Sequence, residues 1–205
     1  MNDEIKIQTF KPEEALPKRL ILPLQSHSSR VVEIINGNES LIDCDGVWTR
    51  NNKFVLGVKT ADCAPICIWN KDQFGVLHAG WRGTVNGAIE NMLEAFEFEL
   101  SSNSSRDDVE NHPGMNIWIG PILPRFEIQE DSCFELIKAK FGDQFFAFDA
   151  GGIFFEFKKC LAYMLPKAHF DNRSTFEDLD LASWRRDKAF PKGQNTTVIG
   201  HFKTS

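Results

Sequence analysis

Lys59-Thr-Ala-Asp-Cys-Ala-Pro-Ile-Cys-Ile-Trp-Asn-Lys-Asp-Gln-Phe-Gly-Val-Leu-His-Ala-Gly-Trp-Arg-Gly83 contains two short apolar runs, Ala64 to Trp69 and Phe74 to Leu77, each bounded and of strand length. A glycine-rich turn follows, and then apolar residues at helical spacing: Val85, Ala88, Ile89, Met92 and Phe96. The order strand, strand, helix is thus legible in one stretch. Its chemically capable residues sit where the strands end. Cys63, after Asp62 and just before Pro65, occupies a turn between two apolar runs, and His78 caps the next strand immediately before the turn into the helix. Neighbouring strands bring these two side chains together.

Working outward, further strand-like runs occur at Arg19 to Leu24, Arg30 to Ile35, Phe54 to Val58 and Met115 to Ile119, with a β-branched final strand at Thr196 to Phe202. Helical spacing recurs in Phe134, Ile137 and Phe141 and in Phe154, Phe157, Leu161 and Met164. Ser101 to Gly114 is polar, ends in Pro-Gly and reads as a surface loop. Phe170 to Phe190 mixes aromatic and charged residues without a clear period and carries no assignment. The pattern predicts a mixed α/β (α+β) fold.

With 205 residues, 42% of them hydrophobic, the chain can form one core that buries about 70% of its unfolded surface, so a single domain over residues 1–205 is expected. No run of about eighteen uncharged apolar residues occurs, and Asp3, Glu4 and Lys6 interrupt any apolar leader; the expectation is a cytoplasmic protein without a membrane span. Five cysteines, an odd number in no small-domain framework, fit reduced thiols. A formal net charge of -6 argues against sequence-independent nucleic-acid binding and against an anionic membrane surface. Local cationic groups, Arg82 and the Arg185 and Arg186 pair, remain able to hold a phosphate.

A thiolate and neutral imidazoles are good zinc ligands, and Cys63 and His78 with His27 as a third would leave one coordination position open. The same residues have plainer readings: a free cysteine near a strand end is often a small buried hydrophobe, and the glycines around His78 can mark tight packing. The intervals match no zinc-finger or zincin spacing.

Six strings occur in order between about Leu24 and Asp187: Gln25-Ser-His27 with Val31 downstream, Asp45-Gly-Val-Trp-Thr49, Thr60-Ala-Asp-Cys-Ala-Pro65, His78-Ala-Gly-Trp-Arg-Gly83, Ile119-Gly-Pro121 and Arg185-Arg-Asp187. Together they resemble the YfiH-type family, whose members are variously called laccase-domain proteins, polyphenol oxidases, purine nucleoside phosphorylases and peptidoglycan editing factors. The resemblance implies a layered α/β/β/α fold with mixed sheets packed between helices, and one zinc ion per chain on His27, Cys63 and His78. It also implies a small-molecule substrate: a purine nucleoside with phosphate, cleaved by phosphorolysis, or adenosine in a deamination, or a cell-wall precursor from which a misincorporated serine is removed. The oxidase name fits less well, because the chain has five histidines and no His-x-His pair.

Departures from the family pattern bear on substrate choice. Only 26 residues precede His27, without the usual Ser-Thr-Arg and Gly-Gly pattern; Ser28 stands where glycine is usual; the Cys-Thr pair is missing around Ser174 to Leu181; and no terminal Thr-Gly-Arg pattern follows. A shortened N-terminal segment is therefore expected.

Asp62, Cys63 and Arg82 are the expected catalytic residues, and Trp81, Arg82, Arg185 and Arg186 the expected substrate contacts. A zinc held by one thiolate and two imidazoles lowers the pKa of its water toward about 7, which suits hydrolysis, whereas phosphorolysis needs cations around a bound phosphate. Zinc-dependent purine nucleoside phosphorolysis is favoured. Two rivals remain: a metal-free hydrolase with Cys63 as nucleophile and His78 as base, and a noncatalytic metal-bearing protein that captures a nucleotide or cell-wall precursor. Cys67 should point into the core, and Cys44, Cys133, Cys160, His112, His169 and His201 have no assigned partner.

Overall fold

The computed structural model describes residues 4–96, 114–149, 151–188 and 193–203. In chain order the strands are β1 (Lys6–Phe10), β2 (Leu20–Ile21), β3 (Val31–Glu33), β4 (Gly46–Thr49), β5 (Val55–Thr60), β6 (Ala64–Trp69), β7 (Phe74–Ala79), β8 (Asn116–Ile119), β9 (Phe126–Ile128), β10 (Phe146–Asp149), β11 (Gly152–Phe155), β12 (His169–Phe170) and β13 (Asn195–Gly200). Among the described residues the helices are α1 (Trp81–Val85), α2 (Ala88–Ala95), α3 (Ser132–Phe141), α4 (Phe157–Met164) and α5 (Trp184–Asp187), with a 3-10 turn at Asp143–Phe145. The expected loop from Ser101 lies outside the described residues up to position 113, as does His112.

Among the described residues two mixed sheets form, β12-β8-β6-β7-β4-β3 and β1-β13-β5-β2, with one antiparallel sheet, β10-β11-β9. β6 and β7 are antiparallel, with Pro65 opposite His78, so the ends predicted to meet do meet. Alternation along these strands builds two layers of core. Ile66, Ile68 and Leu77 face a cluster with Ile89 and Met92 of α2 and Leu161 of α4, whereas Cys67 and Val76 face Leu56, Val58 and Ile199 of the four-stranded sheet. Each such fully buried aliphatic side chain contributes about 1.5–3 kcal/mol. Cys67 is a core residue, as expected. No helix among the described residues is long and apolar enough to cross a membrane.

Three sequence expectations shift. The helix read from Val85 to Phe96 is two helices, because Gly87 takes a left-handed φ of +87° between them and Val85 closes the first. Phe154 belongs to β11 and pairs with Ala147 and Glu127, so α4 begins only at Phe157; a continuous aromatic run does not separate strand from helix by period alone. Phe170 to Phe190, unassigned from sequence, supplies the end of β12, the short α5 and a non-repetitive segment between them. That segment is fastened by Arg186, whose guanidinium donates to the carbonyls of Thr175, Phe176, Asp178 and Leu181 and to both oxygens of Asp187.

Candidate metal centre

Cys63 sits in the turn from β5 into β6. That turn is held by Asp62 at a φ of +89°: its carbonyl accepts from the Leu123 amide at 3.0 Å, and its carboxylate accepts from the Thr175 hydroxyl at 2.7 Å and the Arg185 amide at 2.9 Å. His78 comes at the end of β7. His27 lies in a loop docked on the end of β5 by the Gln25 side chain, whose amide donates to the Lys59 carbonyl and accepts from the Lys59 amide, both at 2.8 Å, as a neighbouring strand would. His27 itself has a φ of +63°, uncommon for a residue with a side chain and concentrated at functional sites.

Asp45, wholly buried just before β4, joins these parts. Its Oδ1 accepts from His78 Nδ1 at 2.6 Å and from the His27 amide at 3.0 Å. Its Oδ2 accepts from the Ser26 and Ser28 amides at 3.1 and 2.8 Å and from the Ser28 hydroxyl at 2.8 Å. Burial works against the charged carboxylate, but the His78 bond and the serine bonds outweigh it and bring the Asp45 pKa down to about 2. Ser28, where the resembled family carries glycine, adds its hydroxyl to this set.

With Nδ1 of His78 committed to Asp45, its Nε2 faces Cys63 and His27. The three ligand atoms lie within 4.8 Å of one another, and Cys63 Sγ is 3.8 Å from His27 Nε2. Burial opposes ionisation of Cys63, yet the His27 and His78 rings outweigh it and lower the thiol to about 7. Burial likewise opposes the His78 cation, but Asp45 and the Cys63 sulfur raise the imidazole to about 9. Four-coordinate zinc, with bonds of about 2.0–2.3 Å, spaces its ligand atoms about 3.3–3.6 Å apart. One thiolate-forming sulfur and two imidazole nitrogens suit that ion chemically, and atoms within 4.8 Å of one another must draw in by up to about 1 Å to bind it.

The glycines of the His78-Ala-Gly-Trp-Arg-Gly83 string make room for the cluster. A Cβ on Gly80 would lie 2.6 Å from His27 Cδ2 and 3.1 Å from Cys63 Sγ, and one on Gly83 would lie 3.0 Å from the Ser28 carbonyl oxygen. These glycines let α1 start against the His27 loop.

The cluster opens into a cavity of about 1210 Å³ lined also by Asp62, Trp81, Arg82, Phe126 and Arg185. Arg82 lies over the Trp81 ring at 4.5 Å and Arg185 over the Phe126 ring at 4.7 Å. Among the described residues no carboxylate pairs with either guanidinium. Arg186 is turned away into its own segment, and the Asp62 carboxylate is occupied by Thr175 and Arg185. Sequence reasoning missed Asp45, quoted only as part of a string, and Trp184 and Lys59 on the cavity wall. A lone aspartate before a strand has no periodic signal, and Trp184 lay in the unassigned segment. Cys44, Cys67 and Cys160 are buried, with thiols raised by burial; His169 belongs to β12, and His201 packs edge-on against Phe74 at 5.9 Å.

Residues 6–201 match a protein family described as multi-copper polyphenol oxidoreductase laccase. A purine nucleoside phosphorylase of Aquifex aeolicus is 34% identical over 98 residues, 48% of this chain and 46% of that protein. One of Staphylococcus saprophyticus is 27% identical over 208 residues, 88% of this chain and 72% of that protein. The Aquifex match thus spans less than half of the relative's length. In fold the chain is similar to the Bacillus licheniformis hypothetical protein YfiH, with a TM-score of 0.72 and 21% identity over 89% of this chain and 74% of that one. It is similar also to YlmD from Geobacillus stearothermophilus, with a TM-score of 0.70 and 18% identity over 91% and 74%. The family description speaks of several coppers; among the described residues one cluster of three potential ligands converges.

Proposed function

The chain belongs to the multi-copper polyphenol oxidoreductase laccase family, and from that membership and its converging His27, Cys63 and His78 we propose that it is a zinc-dependent enzyme cleaving purine nucleosides by phosphorolysis. The His-Cys-His cluster at the floor of a large cavity is the observation that carries this reading. The names of the Aquifex and Staphylococcus relatives favour the purine nucleoside as substrate. His27, Cys63 and His78 hold the ion, which when bound supplies a Lewis acid beside the substrate.

The other steps fall to the chain's own groups. In phosphorolysis a phosphate oxygen forms a bond to the anomeric carbon while the bond from that carbon to the purine nitrogen breaks, and the departing base takes up, by way of solvent, the proton that the attacking phosphate hydroxyl gives up. Arg82 and Arg185, stacked on aromatic rings with no carboxylate among the described residues to neutralise them, leave their N–H edges for the phosphate. Trp184 offers a flat apolar surface to the purine, with Trp81, whose ring carries Arg82, in the same wall. Asp62 acts as a positioning residue, because its carboxylate holds the amide of Arg185 beside the turn that carries Cys63.

Metal analysis of freshly purified protein, paired with adenosine and inosine assays with and without phosphate, tests the proposal. One zinc per chain and base release that requires phosphate are expected; ammonia release independent of phosphate would replace phosphorolysis by deamination. The 3.8 Å approach of Cys63 to His27 and the lowered thiol favour one alternative, a metal-free thiol hydrolase. Protein without zinc that still turns over and loses activity on alkylation of Cys63 would establish that alternative.

A further inference from the structure

Both oxygens of the Asp45 carboxylate are engaged, and the five donors they serve divide between two of the three clustered side chains. Three consecutive amides, those of Ser26, His27 and Ser28, converge on it and hold the left-handed turn from which the His27 ring projects. The fifth donor, His78 Nδ1, fixes which nitrogen of that ring carries its proton. The main-chain carbonyl of Asp45 also accepts the His78 amide at 2.7 Å, so the backbone of β7 is registered to the same residue.

We infer that Asp45 is the positioning residue of the centre: one buried carboxylate sets His27 and His78 as a unit and directs both rings to the ion through Nε2. This rests on the metal-binding reading of the cluster. The chemistry admits no simple substitute. A carboxylate is acceptor-only, and here every neighbour is a donor. An asparagine in its place satisfies one side and presses its own N–H groups against the donors of the other. Either orientation frees the His27 turn or the His78 ring, so at least one of the three ligands loses its aim. Removing the hydrogen-bond partner of a ligating histidine ring weakens metal binding by about 10- to 100-fold; Asp45 is that partner for His78, and it holds His27 through the main-chain amide as well.

The experiment compares wild type with Asp45→Asn. Zinc affinity is read by competition with a chromogenic chelator, and folding of each metal-free protein by circular dichroism. Wild type is expected to bind one zinc, and the folded variant to bind it about 100-fold more weakly. In parallel, wild type carrying 15N-histidine is loaded with 113Cd. Nitrogen spectra are expected to show cadmium coupled to Nε2 of His27 and of His78, with a slowly exchanging proton on His78 Nδ1. This second measurement needs no variant and decides the matter if Asp45→Asn does not fold. A folded variant with wild-type zinc affinity, or cadmium coupled to Nδ1 of His78, overturns the inference while leaving the metal centre intact. Wild type that binds neither ion overturns both.

Discussion

Replacing Gly80 with alanine adds one methyl group at the tightest point of the centre. The new carbon would stand 2.6 Å from His27 Cδ2, 3.1 Å from Cys63 Sγ and 3.3 Å from His27 Nε2. Carbon atoms in contact settle at about 3.5 Å or more, so the His27 ring must retreat by roughly 1 Å. Metal–ligand distances tolerate about 0.2 Å, and a displacement several times larger takes His27 out of coordination. Zinc affinity should therefore fall by about 100-fold or more, equivalent to ~2.8 kcal/mol. The backbone itself objects little, since Gly80 has a φ of -83° that alanine adopts freely. Loss of glycine at this helix N-cap costs about 1 kcal/mol at most. Gly87→Ala is the matched control: its φ of +87° strains any side chain, but the nearest atom to a Cβ there is Glu90 Oε2 at 4.0 Å, far from the ligands. Chelator competition and thermal melts of the metal-free proteins should give opposite patterns: Gly80→Ala loses zinc and keeps its Tm within a few degrees, whereas Gly87→Ala loses Tm and keeps zinc. Wild-type zinc affinity in Gly80→Ala would refute the placement of the His27 ring and with it the centre.

Other expectations concern charge and positioning. In metal-free protein carrying Cys133→Ser to remove the second accessible thiol, iodoacetamide should label Cys63 with a midpoint near pH 7, leave Cys44, Cys67 and Cys160 untouched, and be blocked by zinc; a midpoint near 9 would contradict the influence of the two histidines. Asp62→Ala should raise the KM for phosphate and cost about 1–2 kcal/mol in urea unfolding, because it removes the Thr175 and Arg185 bonds, while zinc stoichiometry stays at one; zinc loss with an unchanged KM would reverse its assignment. Asp45 has a folded pKa of about 2, below its ordinary 3.8, so its stabilising contribution is complete above about pH 4 and disappears as pH falls toward 2. The stability gap between metal-free wild type and Asp45→Asn should narrow by roughly 2 kcal/mol between pH 5 and pH 2 in urea titrations, and a constant gap would mean that Asp45 is not ionised in the fold.

Sequence legibility followed the physics of each element. β6 could be read to the residue, since Ala64 to Trp69 is a bounded run buried on both faces of the large sheet. β1 could not: Lys6–Phe10 is half-exposed at a sheet edge, and its polar members hide the strand period. The meeting of Cys63 and His78 followed from adjacent strand ends, whereas His27 came only through the family strings. Its loop is held by side-chain bonds from Gln25 and Asp45, which leave no period in the sequence. Asp62 was legible as important but not in its manner, because its partners, Thr175 and the Arg185 amide, lie more than a hundred residues further along. The Arg185 and Arg186 pair reads alike in sequence, yet one guanidinium faces the cavity and the other is consumed by its own segment.

That second arginine has a further consequence. A planar, five-donor group caught between four carbonyls and a carboxylate keeps its stretch of chain rigid even though little of it is helix or strand. The wall bearing Trp184 and Arg185 thus takes its shape during folding, and an arriving ligand loses no affinity to ordering it. Lysine, with a single ammonium, reaches too few of those acceptors to preserve the shape, so Arg186→Lys would turn a ready mould into one that each ligand must cast anew.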